Sequence, residues 1–159
     1  MIELDIIGDP KPQARGRNCG RRVYLPRNPW RETVRAAVQV ALLRKVKPIE
    51  GAVWIYIVWR LPRSAELRKR DASCLRRGVE YPQDPPCITN ADTDNFEKAT
   101  LDEISTFKRN GRTRQGLFGN DNRVIPVCKI HRYARPGEKP GCYVRIEPYH
   151  GERVPWDKE

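Results

Sequence analysis

No stretch of this 159-residue chain is apolar for long enough to cross a bilayer. The longest strongly apolar run, Ala52 to Trp59, is less than half of the ~20 residues a spanning helix needs, and Lys47 and Arg60 flank it. The opening Met1-Ile2-Glu3-Leu4-Asp5 lacks the basic start and apolar run of a secretory signal, so an intracellular location is expected. Five cysteines form no Cys-x-x-Cys pair, which argues against both a disulfide framework and a structural zinc site. Cys128-x-x-His131 is half a zinc motif without a second half, in a segment whose alternation reads as a strand. Internal repeats and low-complexity tracts are also missing.

Acidic charge is scarce. Twenty acids face 31 lysines and arginines, a formal net charge of +11 with a sequence pI near 9.8. Such an excess is costly in self-repulsion unless a polyanion is close, and nucleic acid is the first partner to consider. Hydrophobic residues at 38% supply a core, while 32% charged residues and a mean hydropathy of -0.75 make the surface wet. The length fits one domain, expected to span 1–159.

The periodicities predict mixed secondary structure. Ile2, Leu4 and Ile6 alternate as in a half-buried strand that ends at Gly8-Asp9-Pro10. From Lys11 to Arg31 there are seven basic residues and no acid, so 9–28 reads as a basic loop with an extended piece at Arg22 to Leu25. Asn28-Pro29 marks a helix start, and Trp30, Val34, Ala37, Val38, Ala41 and Leu42 carry its apolar face to about Lys47-Pro48. Ala52 to Trp59 is β-branched and aromatic on both faces, the pattern of a central strand covered on each side. A basic, partly helical segment at 60–77 and a proline-rich loop follow. Next come a helix from Asp94 to about Phe107, a second basic loop at 108–119, and strands at Arg123 to Tyr133 and Cys142 to Glu147, paired as a closing hairpin. The tail after Pro148 is peripheral. Together these elements predict an α+β (α/β) fold, one mixed sheet packed against helices.

On so basic a chain the clustered acids are the informative residues: Asp92-Thr93-Asp94-Asn95, and Gly119-Asn120-Asp121-Asn122. A carboxylate beside a phosphate repels it unless a cation lies between them, and phosphodiester-cleaving sites employ such a cation. If the helix begins only at Asp94, Asp92 and Asp94 point to one side and can share a hard cation, with Asp121 as a third ligand. Capping is the competing reading of Asp94, because Asp94-Asn95-Phe96-Glu97 matches a capping box. An EF-hand is excluded, since Phe96 stands where an oxygen ligand is needed and Glu97 where glycine makes the turn. Asp94, Lys98 and Asp102 form a stripe at i, i+4, i+8. It is either a salt-bridge ladder or a row that brings Lys98 to a phosphate.

The string Asp92-Thr93-Asp94-Asn95-Phe96-Glu97-Lys98-Ala99-Thr100-Leu101-Asp102, with Asn120-Asp121-Asn122-Arg123-Val124 downstream, resembles the RusA family of Holliday junction resolvases, whose core reads Asp-x-Asp-Asn-x-x-Lys-x-x-x-Asp. Gly8-Asp9-Pro10-Lys11-Pro12, Arg15, Arg17, Tyr24 and the helix from Pro29 are similar to the family's first strand, basic loop and first helix. The resemblance implies that Asp92, Asp94 and Asp121 bind the catalytic metal and that Lys98 acts beside them, with Asp102 read as structural. It further implies a homodimer that resolves four-way DNA junctions in recombination and repair, cutting two opposed strands with Mg²⁺, for which Mn²⁺ substitutes, and with no small-molecule cofactor. Lys11, Arg15, Arg17, Lys108, Arg109, Arg112 and Arg114 are the expected phosphate contacts, and Phe118 either wedges into the junction or anchors its loop. Asn120 departs from the pattern by replacing the first acid of the usual downstream pair, and the excursion from Ser105 to Gly119 is longer than typical. A non-catalytic nucleic-acid-binding module and a less selective nuclease for branched or flap DNA are the alternatives.

Overall fold

The structure, a computed structural model, describes residues 1–14, 17–19, 22–24, 26–87, 93–109, 111–119 and 124–151. In chain order the elements are β1 (Ile2–Ile7), β2 (Arg17–Cys19), β3 (Arg22–Tyr24), α1 (Pro29–Leu43), β4 (Val53–Leu61), α2 (Ala65–Arg77), α3 (Thr93–Ile104), β5 (Phe107–Arg109), β6 (Arg112–Arg114), β7 (Val124–Tyr133) and β8 (Gly141–Pro148). β1, β8, β4 and β7 form a four-stranded mixed sheet in that order, and the short pairs β2–β3 and β5–β6 are separate hairpins. The α+β expectation holds.

β4 lies inside the sheet, antiparallel to β8 and parallel to β7. The expected β7–β8 hairpin does not form, because β4 lies between the two strands. The connection from 134 to 140 is long enough to step over one strand, about 10 Å at two strand spacings. β4, with the longest apolar run, thereby pairs along both edges.

The odd-numbered residues of β4 (Val53, Ile55, Ile57 and Trp59) join Val144 and Ile146 of β8 and Ile2 and Ile6 of β1 in one buried layer. Trp30, Val34, Val38 and Ala41 of α1 pack on it, as do Phe96, Ala99 and Ile104 of α3. Both indole N–H groups of this layer, from Trp30 and Trp59, donate to the buried Thr100 hydroxyl at 3.2 Å. That hydroxyl in turn donates to the Phe96 carbonyl at 3.0 Å. A single residue of α3 thus satisfies two buried donors and ties α3 to α1 and to the sheet.

The helices start and stop for local reasons. Asn28 caps α1 by accepting from the Trp30 amide at 3.1 Å, with Pro29 at the first position. α1 stops at Leu43, earlier than expected, where Lys45 takes the left-handed conformation (φ 62°) and the Val46 amide closes onto the Ala41 carbonyl. α3 ends at Ile104 rather than near Phe107, because Ser105 and Ile49 both bridge to Phe118. β4 was expected to be covered on both faces. α1 and α3 cover one, whereas the side chains lining the depression on the other, about 590 Å³, all come from the four strands.

The turn before β8 is held by Glu138. Arg132 donates to its two carboxylate oxygens at 2.6 and 2.8 Å, and the Arg135 amide adds 2.8 Å. The hydrogen bonds from Arg132, with the Arg135 amide and the charge of Arg60, outweigh burial and bring the Glu138 carboxyl down to about 2. Because its folded value lies below the unfolded one of ~4.3, the stabilisation is complete above about pH 4.5 and disappears as pH falls toward 2. Glu138→Gln is therefore expected to flatten the acid limb of urea-melt stability between about pH 4.5 and 2, with the variant and parent converging near pH 2. Parallel acid limbs would mean that Glu138 gives no such linkage.

Candidate active site

The amino-terminal end of α3 gathers the groups capable of chemistry. α3 begins at Thr93, so Asp94 lies within its first turn, where the helix dipole favours a carboxylate. The extended pairing of Asp92 with Asp94 requires a helix start at Asp94, and an Asp94 N-cap requires one at Asn95. The helix begins one residue before the first and two before the second. Asp92, Asp121 and Arg15 lie outside the described residues.

The Asp94 side chain is 79% exposed, and Lys129 of β7 reaches it at 3.4 Å while pairing with Glu97 one turn along. Lys129 is registered with Ile57 on the side of the sheet that faces α3. The hydrogen bond to Glu97, then the neighbouring negative charge, keep its ammonium protonated above the ordinary lysine range. His131, two residues on, lies between Trp59 and Phe96 at centroid distances of 4.7 and 5.1 Å. Burial, then the charge of Lys129, push its pKa down, so the imidazole is neutral and part of the packing. Cys128 and His131, three apart on a strand, point to opposite faces and make no metal pair. Among the described residues no three histidine, cysteine or acidic side chains form a metal-binding group.

The first basic loop is docked against this end of α3. The Gln13 amide donates to the Asn95 carbonyl at 2.8 Å, and Asn28 donates to the carbonyls of Lys11 (3.4 Å) and Pro12 (3.1 Å). Arg31 completes the clamp by donating to Gln13 at 3.0 Å. Lys11 is half exposed beside Asp9, at 3.7 Å. The chain then turns through the β2–β3 hairpin, in which Arg17 pairs with Tyr24. Lys98 is exposed one turn beyond Asp94, whereas Asp102 pairs with Arg31 at 3.5 Å.

The second basic segment is the β5–β6 hairpin, with Lys108 and Arg109 on one strand and an exposed Arg112 on the other. Arg114 was expected at phosphate, but its guanidinium is engaged by Glu103 and the Asp102 carbonyl and lies over the Phe107 ring at 5.9 Å. Phe118 is 1% exposed, so the anchoring role is the one it plays.

Glu103 is the residue the sequence reading passed over. Its side chain is fully buried and receives Arg31 at 2.7 Å, Arg35 at 2.9 Å and Arg114. A signal was present, since Glu103 continues the apolar arc of α3 from Phe96 and Thr100, and Arg31 and Arg35 are one turn apart on α1. Lys129 left no comparable signal, because its partners come from the crossing of β7 and α3.

A family model described as endodeoxyribonuclease RusA matches residues 7–147. The chain belongs to the RusA endodeoxyribonuclease family. Membership makes it a DNA-cleaving hydrolase of a Holliday junction resolvase family. A search among curated proteins gave no match. In this RusA chain, the match runs from the end of β1 to within β8 and so includes α3, the Lys11 segment and the β5–β6 hairpin.

Burial opposes ionisation of Glu103, but the hydrogen bonds from Arg35 and Arg31 and the charge of Arg114 outweigh it and hold the carboxyl below the usual carboxylate range. Glu103→Ala is expected to leave three guanidinium groups without their counter-ion. The predicted cost is about 3 kcal/mol, or roughly 10 °C in Tm, together with faster proteolysis in the 107–114 hairpin. An unchanged melt would remove Glu103 from its role as the joint.

Proposed function

We propose that this chain, folded as one RusA-like domain over 1–159, is a Mg²⁺-dependent, structure-specific endodeoxyribonuclease. In this reading it resolves four-way DNA junctions inside the cell, as a homodimer, by hydrolysing one phosphodiester in each of two opposed strands. The observation that carries this reading is Asp94, an exposed carboxylate in the first turn of α3. It lies beside a docked basic segment in a RusA-family chain, where it already attracts a cation.

The donors suit a hard divalent ion. Asp94 and Glu97 present carboxylate oxygens, and the Lys129 ammonium lies against both of them. Asp92, Asp94 and Asp121 are proposed as the metal ligands, in agreement with the spacing of the family core. A divalent ion held there supplies Lewis acidity toward phosphate oxygens and acidifies water. Lys98, exposed on the same helix, meets the charge that develops on the scissile phosphate. Lys11, Arg15 and Arg17 on one side, and Lys108, Arg109 and Arg112 on the other, contact the phosphates of the junction arms. Arg114 serves them indirectly by holding the hairpin. A two-fold symmetric junction is matched by a two-fold symmetric protein with one site per cut strand.

Asp94→Asn is expected to lower junction cleavage about 1,000-fold while keeping or tightening junction binding, because repulsion from phosphate is removed. Lys98→Ala should reduce single-turnover cleavage about 100-fold with little change in Kd. Cleavage by Asp94→Asn at the parental rate would reduce Asp94 to a helix-terminus charge. Equal Mg²⁺-dependent cutting of four-way, three-way and linear duplexes would replace junction selectivity with a broader nuclease.

A further inference from the structure

We propose that the outer face of α2 is a further DNA-contact surface, on which Arg68, Lys69 and Arg76 lie along the phosphates of a duplex arm. This rests on the nuclease reading above and adds to it a basic element separate from the Lys11 segment and the β5–β6 hairpin.

The argument begins with how α2 is charged. It carries five cations and two acids, and the helix sorts them by direction. Leu67 and Cys74 are buried, and Arg70 and Asp71, half-buried, lie toward the same side. Those two inward charges belong to a clamp around Arg63, whose side chain is 8% exposed. Arg63 donates to Asp71 at 2.9 Å, to both Asp84 oxygens at 2.7 and 2.8 Å, and to the Ala134 carbonyl at 2.8 Å. Arg70 pairs with Asp84 as well. Leu67 and Cys74 stay outside the main core, so this clamp is what mounts α2 where β4 and β7 end.

The opposite side of the helix carries Arg68, Lys69 and Arg76, all exposed. Among the described residues Arg70 is the α2 cation that forms ion pairs, and the outer three form none. Two ordinary causes of such a row fall short. A salt-bridge ladder needs acids one turn away, and the residues that space this row at i+3 and i+4 are Ala65 and Ala72. The helix dipole suits Arg76 and Arg77 in the last turn, but Arg68 and Lys69 lie nearer the other end and gain nothing from it.

The row has the dimensions of a phosphate backbone. From Arg68 to Arg76 it is about 12 Å long at ~1.5 Å per residue, the advance of three to four phosphates along one strand at ~3.4 Å each. Ala65 and Ala72 add no bulk that would hold a backbone away from the helix. Leu75 is the one large apolar side chain exposed on α2, too little to seat a protein partner. The row offers charge without a shaped pocket, which fits phosphates without base preference.

Fluorescence anisotropy with a labelled four-way junction in EDTA, over a salt series, tests the proposal. Arg68→Gln/Lys69→Gln/Arg76→Gln keeps helix propensity while removing three charges. It is expected to bind about 50-fold more weakly near 0.1 M salt, with a log–log slope shallower by about 2 and unchanged far-UV circular dichroism. Its single-turnover cleavage rate at saturating protein should equal the parent's, because the row supplies affinity and not chemistry. Arg44→Gln/Lys45→Asn/Lys47→Gln removes the same charge from the opposite end of β4 and should weaken binding less than about threefold. If the α2 triple fails to fold, Arg76→Gln alone carries the test, with a slope shallower by about 0.9. An α2 triple that binds like the parent overturns the proposal and leaves the nuclease reading standing, as a solvated row or one kept for an acidic protein would require. Equal losses in the two triples reduce the effect to net charge and overturn it too. A parent that binds no junction at any salt overturns the nuclease reading along with the proposal.

Discussion

The fully buried carboxylate of Glu103 fixes the relation of three pieces of this protein. It draws Arg31 and Arg35 from α1 and Arg114 from β6 onto α3, so the helix bearing the candidate catalytic groups and the basic hairpin share one electrostatic joint. A buried ion pair of this kind is weak evidence of net stability, since an apolar replacement of equal shape can do as well. Its value is in placement. Together with the two indole donors on Thr100, it leaves α3 little freedom to slide or turn against the sheet. Hydrolysis of a phosphodiester depends on such rigidity, because a misplacement of about 1 Å costs orders of magnitude in rate.

The distribution of charge follows the same division of labour. The Lys11 segment and the β5–β6 hairpin present exposed cations beside α3, while the open sheet face binds its own arginines in pairs with carboxylates. The excess of +11 is therefore directed. If the basic segments contact duplex arms as proposed, counterion release there supplies affinity with a log–log salt slope of about 0.9 per phosphate neutralised. The carboxylates at the head of α3 are the exception within that field, and Lys129 shows that they attract a cation.

Much of the fold was legible because its elements carry strong local patterns. Asn28-Pro29 and the apolar recurrence after it located α1, and the β-branched run located β4 inside the sheet. The closing hairpin was misread because adjacency in sequence was taken for adjacency in space, whereas β4 gains more by pairing on both edges. Of the two covers that the β4 pattern predicts, α1 and α3 supply one, and on the other side Val58 and Arg60 are buried beside a depression lined by strand side chains. In the candidate site, spacing singled out Asp94 and Lys98, and both are exposed on α3. Glu103 and Lys129 were not singled out, because their partners lie on other elements and only the crossing of chain segments creates those contacts.

The central claim is that carboxylates from two separate parts of the chain hold a divalent ion at the head of α3. A crystal structure of the protein soaked with Mn²⁺, read by its anomalous signal, tests this most directly. The account predicts an ion within about 2.1 Å of carboxylate oxygens from Asp94, Asp92 and Asp121. An ion bound elsewhere, or Asp121 held remote from Asp94 in the assembled protein, would contradict it.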